Sequence, residues 1–78
     1  MRKRIPVYDL NFSAFLHMHG NTPELLLQGK RVSFMFKSDD AFYNYSERYN
    51  NNETVNVLDY VNAIRQLRAM MLSLRGQQ

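Results

Sequence analysis

Apolar and polar residues alternate on both sides of a glycine in the first half of the chain, which is the pattern of a β-hairpin. Gly29-Lys30 supplies a two-residue turn of the Gly-x kind. The register set by this turn places Leu25 opposite Phe34. One face then carries the apolar side chains of Leu25, Leu27, Val32, Phe34 and Phe36. The side chains that point away from it are Arg31, Ser33 and Lys37.

The segment before the hairpin predicts a short extended piece followed by a helix. Pro6 has no N–H for a ladder, so residues 4–8 can form an edge strand at most. Asp9 is the candidate N-cap of a helix over residues 10–19, and Gly20 fits the left-handed position that ends it. The apolar face of this helix consists of Phe12, Phe15 and Leu16.

A second short helix is predicted after the hairpin, with Ser38 as its N-cap. Asp39 and Asp40 then fall in the first turn, where the helix dipole favours anions. Because adjacent helical side chains diverge, we interpret them as dipole partners rather than as a shared acid–base or metal site. The face of this helix is formed by Phe42, Tyr45 and Tyr49. The asparagines at 50–52 signal the loop that ends it, after Arg48 or Tyr49.

The longest predicted helix covers residues 57–74 and is capped by Asn56. Its main apolar face has the spacing 3-4-3-4-3 and consists of Val57, Tyr60, Ile64, Leu67, Met71 and Leu74, widened by Ala63 and Met70. A second flank carries Leu58, Val61 and Leu72 beside Arg65 and Arg68. This helix has more apolar surface than one small core needs, so the second flank is a candidate dimer interface.

These elements predict an α+β fold in a single domain over residues 1–78. A β-hairpin, with residues 4–8 as a third edge strand at most, packs against two short helices and one long C-terminal helix. We expect the basic N-terminus at 1–4 and residues 76–78 to be flexible. A chain of 78 residues without cysteine has a small core and no disulfide, so burial against a second copy would add stability.

Charge is distributed in three blocks along a chain of formal net charge +3. Residues 1–37 carry +4, residues 38–53 carry −3 and residues 54–78 carry +2. This order favours self-complementary contacts as readily as an anionic ligand. No apolar run is long enough for a membrane span, and the basic start is not followed by the apolar stretch of a signal peptide. We therefore expect a cytoplasmic protein with no membrane partner.

Candidate catalytic and metal-binding groups are few. His17 and His19 diverge on a helix, so they cannot hold one ion jointly, and there is no cysteine. The serines form no Gly-x-Ser-x-Gly motif, and the three glycines form no phosphate-binding loop. We expect no metal, no cofactor and no enzymatic activity.

The basic residues are the main indication of a nucleic-acid partner. Arg65, Arg68 and Arg75 project within one arc of the last helix. With the basic N-terminus they give six candidate contacts, namely Arg2, Lys3, Arg4, Arg65, Arg68 and Arg75. A stacking platform of Tyr43, Tyr45, Tyr49 and Arg48 is disfavoured, because its helix is net acidic.

Several of these residues together resemble a known family. They are Tyr8-Asp9-Leu10, Ala14-Phe15-Leu16 with Gly20, Arg31-Val32-x-Phe34-x-Phe36, Tyr49, and Tyr60-x-x-Ala63-Ile64-Arg65-x-Leu67-Arg68. Over about residues 8–71 the chain resembles a small uncharacterised bacterial and phage-associated family classed as domains of unknown function. The resemblance implies a bacterial origin and a compact α+β domain, and it assigns no activity, ligand or catalytic residue.

Two functions of different classes follow from the sequence. The leading hypothesis is a small interaction module that forms a homodimer through Leu58, Val61, Arg65, Arg68 and Leu72. The alternative is a nucleic-acid-binding accessory protein that uses the arginines of the last helix and the basic N-terminus. An enzyme is the least favoured class.

Overall fold

The structure, a computed structural model, describes residues 3–76 and has the predicted α+β architecture. Its elements are β1 (Arg4–Val7), α1 (Leu10–Met18), β2 (Glu24–Gln28), β3 (Arg31–Lys37), α2 (Asp40–Asn50) and α3 (Val57–Gly76). The strands form an antiparallel sheet in the order β1-β3-β2. Side chains of one sheet face pack with the helices into a single core. No helix within residues 3–76 combines the length and the apolar composition needed to cross a bilayer.

The β2–β3 hairpin has the predicted register. Leu25 lies opposite Phe34, and Gln28 lies opposite Arg31 at the turn. Gly29 has a φ of +64°, which the first position of a Gly-x turn requires and a residue with a Cβ rarely adopts. The apolar face of the hairpin is therefore directed at the helices, as the alternation predicts.

The N-terminal segment is confirmed as an edge strand. Val7 of β1 pairs with Phe34 of the central strand β3, and Pro6 is tolerated because its strand lies at the edge of the sheet. Of the chain ends that were expected to be flexible, Arg4 begins β1 and Gly76 ends α3. The other terminal positions, 1, 2, 77 and 78, lie outside the described residues.

Side-chain caps fix the first and third helices as predicted. The carboxylate of Asp9 accepts a hydrogen bond from the backbone N–H of Asn11 at 2.9 Å, and α1 begins at the next residue after Asp9. Gly20 follows α1 with a φ of +91°. The side chain of Asn56 accepts from the N–H of Asp59 at 3.1 Å at the start of α3.

The predicted cap of the second helix is wrong by one residue. Asp39, not Ser38, caps α2, because its carboxylate accepts from the N–H of Phe42 at 2.9 Å. Ser38 belongs instead to the end of the sheet, where its N–H donates to the carbonyl of Lys3 at 2.9 Å. Pairing of β1 with β3 thus continues through Ser38 and delays the helix by one residue.

The core lies between the sheet and the helices, and α3 contributes the predicted face with one exception. Leu67 is fully buried, Ala63 is buried, and Tyr60, Ile64, Met71 and Leu74 are half-buried. Val57 was expected to belong to this face but is 70% exposed. The hydroxyl of Tyr60 donates to the carbonyl of Asn11 at 3.0 Å, so α3 reaches α1 about one turn after Val57.

The opposite side of the sheet, which we call the outer sheet face, is not covered by the helices. Strand alternation places ten residues there: Arg4, Pro6, Tyr8, Glu24, Leu26, Gln28, Arg31, Ser33, Met35 and Lys37. Ser33 faces this side as predicted, yet only 4% of its surface is exposed. Its hydroxyl donates to the Leu26 carbonyl at 3.4 Å and lies 3.7 Å from the Met35 sulfur, because longer neighbours cover so small a side chain.

Candidate functional site

The structure leaves the second flank of the last helix open. This α3 flank consists of Leu58, Val61, Arg65, Arg68 and Leu72, whose spacings of three and four residues align them along one side of the helix. Leu58 is 73% exposed and Leu72 is 69% exposed, although α3 is otherwise packed on the domain. Val61 is half-buried, while Arg65 and Arg68 are exposed. Two large apolar side chains thus meet solvent on the same side of one helix.

The α3 flank is symmetric about its central arginine. Leu58 lies seven residues before Arg65 and Leu72 lies seven residues after it. Val61 lies four residues before Arg65, and the exposed Ala69 lies four residues after it. Ala69 was not among the residues predicted for an interface, although the same four-residue spacing was visible in the sequence. In both directions from Arg65 there is thus an apolar residue at four positions and a leucine at seven.

The α3 flank is positively charged. Within residues 3–76 the ion pairs are Arg4–Glu24 and Arg48–Glu53, and neither involves Arg65 or Arg68. The two flank arginines therefore present their charge to solvent or to a partner.

The other candidate nucleic-acid contacts lie apart from the α3 flank. Arg4 lies on the outer sheet face beside Glu24, whereas α3 packs on the other side of the sheet. Arg75 donates to the carbonyl of Lys30 at 3.2 Å and is thereby held against the hairpin turn. Lys3 precedes β1, and Arg2 lies outside the described residues. The structure brings Arg65 and Arg68 together and places Arg4 on a different surface.

The two histidines contact different neighbours. Nε2 of His17 is 2.8 Å from Oε1 of Gln66 on α3. The ring of His19 stacks on Tyr45, with 4.8 Å between centroids and 14° between planes. Within residues 3–76 no three His, Asp or Glu side chains form a group that could hold a metal ion.

His19, Tyr45, Arg48 and Glu53 form a polar cluster beside α2. The Arg48 guanidinium lies 4.8 Å from the Tyr45 ring centroid and donates to both Glu53 oxygens, at 2.8 and 2.7 Å. Burial lowers the pKa of His19, the Arg48 charge acts in the same direction, and Glu53 opposes it. The bond from Arg48 lowers the pKa of Glu53. Tyr45 and Arg48 are thus engaged within the domain.

A second tyrosine of the disfavoured stacking platform, Tyr49, is also partly inside the domain. Tyr49 is half-buried, with ring centroids 4.9 Å from Phe12 and 5.4 Å from Phe15. Burial, with a contribution from the nearby Asp9 carboxylate, raises the pKa of Tyr49. Tyr45 and Tyr49 are thus partly covered by the domain, whereas Tyr43 is 57% exposed.

The geometry defines a small α+β domain with a three-stranded sheet, helices on one side of it, and an exposed apolar and basic flank on its last helix. The chain belongs to the family described as Domain of unknown function (DUF5659), whose profile matches residues 2–73. The resemblance to a family of this kind is thereby confirmed. Neither a curated protein nor a solved structure matches the chain.

Proposed function

We propose that this protein is a small non-enzymatic interaction module that forms a homodimer through the α3 flank. The observation that carries the proposal is the exposure of Leu58 and Leu72, at 73% and 69%, at symmetric distances from Arg65. Large apolar side chains exposed on one side of a helix suit an interaction site on a small protein. A bacterial, cytoplasmic setting fits the family resemblance and a chain that has no cysteine to oxidise.

Two α3 helices that pack antiparallel match the equal spacing of Leu58 and Leu72 about Arg65. A two-fold axis at Arg65 places Leu58 against the partner's Leu72 and Val61 against the partner's Ala69. Each contact occurs twice, as in any two-fold interface. Full burial of one leucine side chain contributes roughly 1.5–3 kcal/mol, so the four leucines can supply most of the association energy.

The arginines give the pairing a salt dependence. Arg65 meets its own symmetry mate on the axis, and Arg68 lies three residues further along the same helix. The dimer therefore brings like charges together. Because salt screens this repulsion, with a Debye length of about 8–10 Å, moderate salt should strengthen the dimer.

The expected affinity is modest. A helix of 20 residues is about 30 Å long. One side of such a helix offers less than the roughly 800 Å² per partner of a standard interface. We therefore expect a dissociation constant in the micromolar range.

Sedimentation equilibrium tests the dimer, with protein from about ten to several hundred micromolar. The double variant Val61→Glu, Leu72→Glu should be monomeric and folded by circular dichroism. Tyr43→Glu is the matched control, because Tyr43 is 57% exposed on α2 and away from the α3 flank, and it should dimerise like the wild type. A monomeric wild type at the highest concentration, or equal effects of both variants, would refute the proposal.

Nucleic-acid binding through the α3 flank is the second candidate. Arg65 and Arg68 are exposed and make no ion pair within residues 3–76, as a phosphate-binding stripe requires. Retention on heparin that weakens with salt, and that is lost in Arg65→Gln, Arg68→Gln, would support it. Because dimerisation should respond to salt in the opposite direction, the two functions are separable.

A further inference from the structure

The outer sheet face combines an apolar centre with solvent exposure. Its central side chains are Pro6, Tyr8, Leu26 and Met35. Tyr8 is 49% exposed and Leu26 is 44% exposed, so this centre is open to solvent. A sheet in a small domain commonly has one polar face towards water, whereas the exposed polar residues of this face lie at its margins, and the central Ser33 is covered by its neighbours.

Positive charge surrounds this centre. The outer sheet face carries Arg4, Arg31 and Lys37 against the single carboxylate of Glu24, which is paired with Arg4. Within residues 3–76 neither Arg31 nor Lys37 forms an ion pair. They are the first and last residues of β3, so at about 3.3 Å per residue their backbones lie roughly 20 Å apart. Two free cations thus flank the apolar centre along the middle strand.

Tyr8 and Arg31 already form a stacked pair. The Arg31 guanidinium lies 4.1 Å from the centroid of the Tyr8 ring. This contact joins the residue that follows β1 to the first residue of β3, which are distant in the sequence, and it orients an aromatic ring on an exposed sheet. Aromatic rings and guanidinium planes are the groups on which proteins stack unpaired bases.

We propose that the outer sheet face binds single-stranded nucleic acid. A base stacks on the Tyr8–Arg31 pair, a neighbouring base covers Leu26 and Met35, and Lys37 contacts a phosphate at the far end of β3. The apolar centre favours a single strand, because a duplex hides the faces of its bases. A sheet of this size has room for two or three bases. The proposal concerns a different surface from the α3 flank and is independent of the dimer.

Fluorescence anisotropy tests the site with the full chain and labelled oligothymidylate and oligouridylate of about ten nucleotides. Tyr8→Ala should weaken binding about five- to a hundredfold, because one base loses its stacking partner. Tyr8→Phe should bind within about threefold of the wild type, since it keeps the ring. Lys37→Gln should reduce the slope of log affinity against log salt by about 0.7, the value for one phosphate contact on a single strand.

The control is Tyr43→Ala, which removes a similarly exposed ring from α2, outside both proposed surfaces, and should change affinity by less than about twofold. Circular dichroism confirms that each variant is folded, and Arg31→Gln repeats the test without altering an apolar residue. Absence of binding by the wild type at low salt, or equal losses in Tyr8→Ala and Tyr43→Ala, would overturn the proposal. Equal binding of duplex DNA, or equally effective competition by polyglutamate, would also overturn it. The Val61→Glu, Leu72→Glu monomer should bind as the wild type does, so this result is separate from the dimer test.

Discussion

Replacing Phe34 by alanine should remove most of the stability of the domain. Phe34 is 1% exposed, lies on the central strand and pairs with Val7 on one side and Leu25 on the other. Truncating a buried phenylalanine costs about 3–5 kcal/mol, which combines lost burial with an unfilled cavity. A chain of 78 residues has a total stability of about 4–12 kcal/mol, at about 0.05–0.15 kcal/mol per residue. A small core without a disulfide places the total near the lower end of this range, so the variant is expected to be close to its unfolding midpoint without denaturant.

Urea unfolding followed by far-ultraviolet circular dichroism measures this effect. Phe34→Leu keeps an apolar side chain and should lose about 1–2 kcal/mol, which leaves a measurable transition if the alanine variant is unfolded. Leu26→Ala is the control, because Leu26 lies on the neighbouring strand and faces outwards. It should cost about 1 kcal/mol or less. A loss in Leu26→Ala as large as that in Phe34→Ala would mean that the strands pair one residue out of register, and the assignment of the core face would be wrong.

Two further predictions concern local groups. Asp39→Ala should destabilise the domain by about 1 kcal/mol, because it removes the cap of α2, and Ser38→Ala should destabilise it by less. Urea unfolding measures both losses. A larger loss in Ser38→Ala would mean that Ser38 is the cap. Because the pKa of His19 is below its usual 6.5 in the folded chain, the unfolded chain binds the proton more readily in that range. The free energy of unfolding should therefore fall as the pH is lowered through about 6.5. His19→Phe keeps a ring against Tyr45 and should make this fall smaller. The same pH dependence in the variant and the wild type would contradict the prediction.

The elements whose signals are local were predictable from the sequence. The hairpin register follows from Gly29 and the alternation around it, and nothing outside residues 24–37 is needed to set it. The caps Asp9 and Asn56 were likewise visible beside the helices that they begin. Short-range turn and cap chemistry decides these features, so their sequence signals are sufficient.

The errors arise where a distant element intervenes. Ser38 is a good cap residue, but pairing of its backbone with Lys3 keeps it in the sheet. Val57 has the right spacing for the buried face of α3, but the helix meets α1 only at Tyr60. In each case the local sequence signal is present. The position of a distant segment decides which residue caps α2 and which residues of α3 are buried.

The two candidate surfaces also differ in how far apart their residues lie in the sequence. All residues of the α3 flank belong to one helix, so their spacing alone shows that they share a side. The outer sheet face joins Tyr8 to Arg31 and Arg4 to Glu24 across strands. Recognising it from the sequence would have required the pairing of β1 with β3, which alternation within β1 does not specify.

The order of the strands has a kinetic consequence. The hairpin closes over a two-residue turn, whereas Arg4 of β1 pairs with Lys37, 33 residues further along the chain. Closing the longer loop carries a larger entropic barrier, so we expect the hairpin to form first and β1 to join late. The same strand should detach first in the native state, and the amide hydrogens that it shares with β3 should exchange with solvent before those of the hairpin. Each such opening separates Tyr8 from Arg31, so the outer sheet face is complete only while the N-terminal strand is in place.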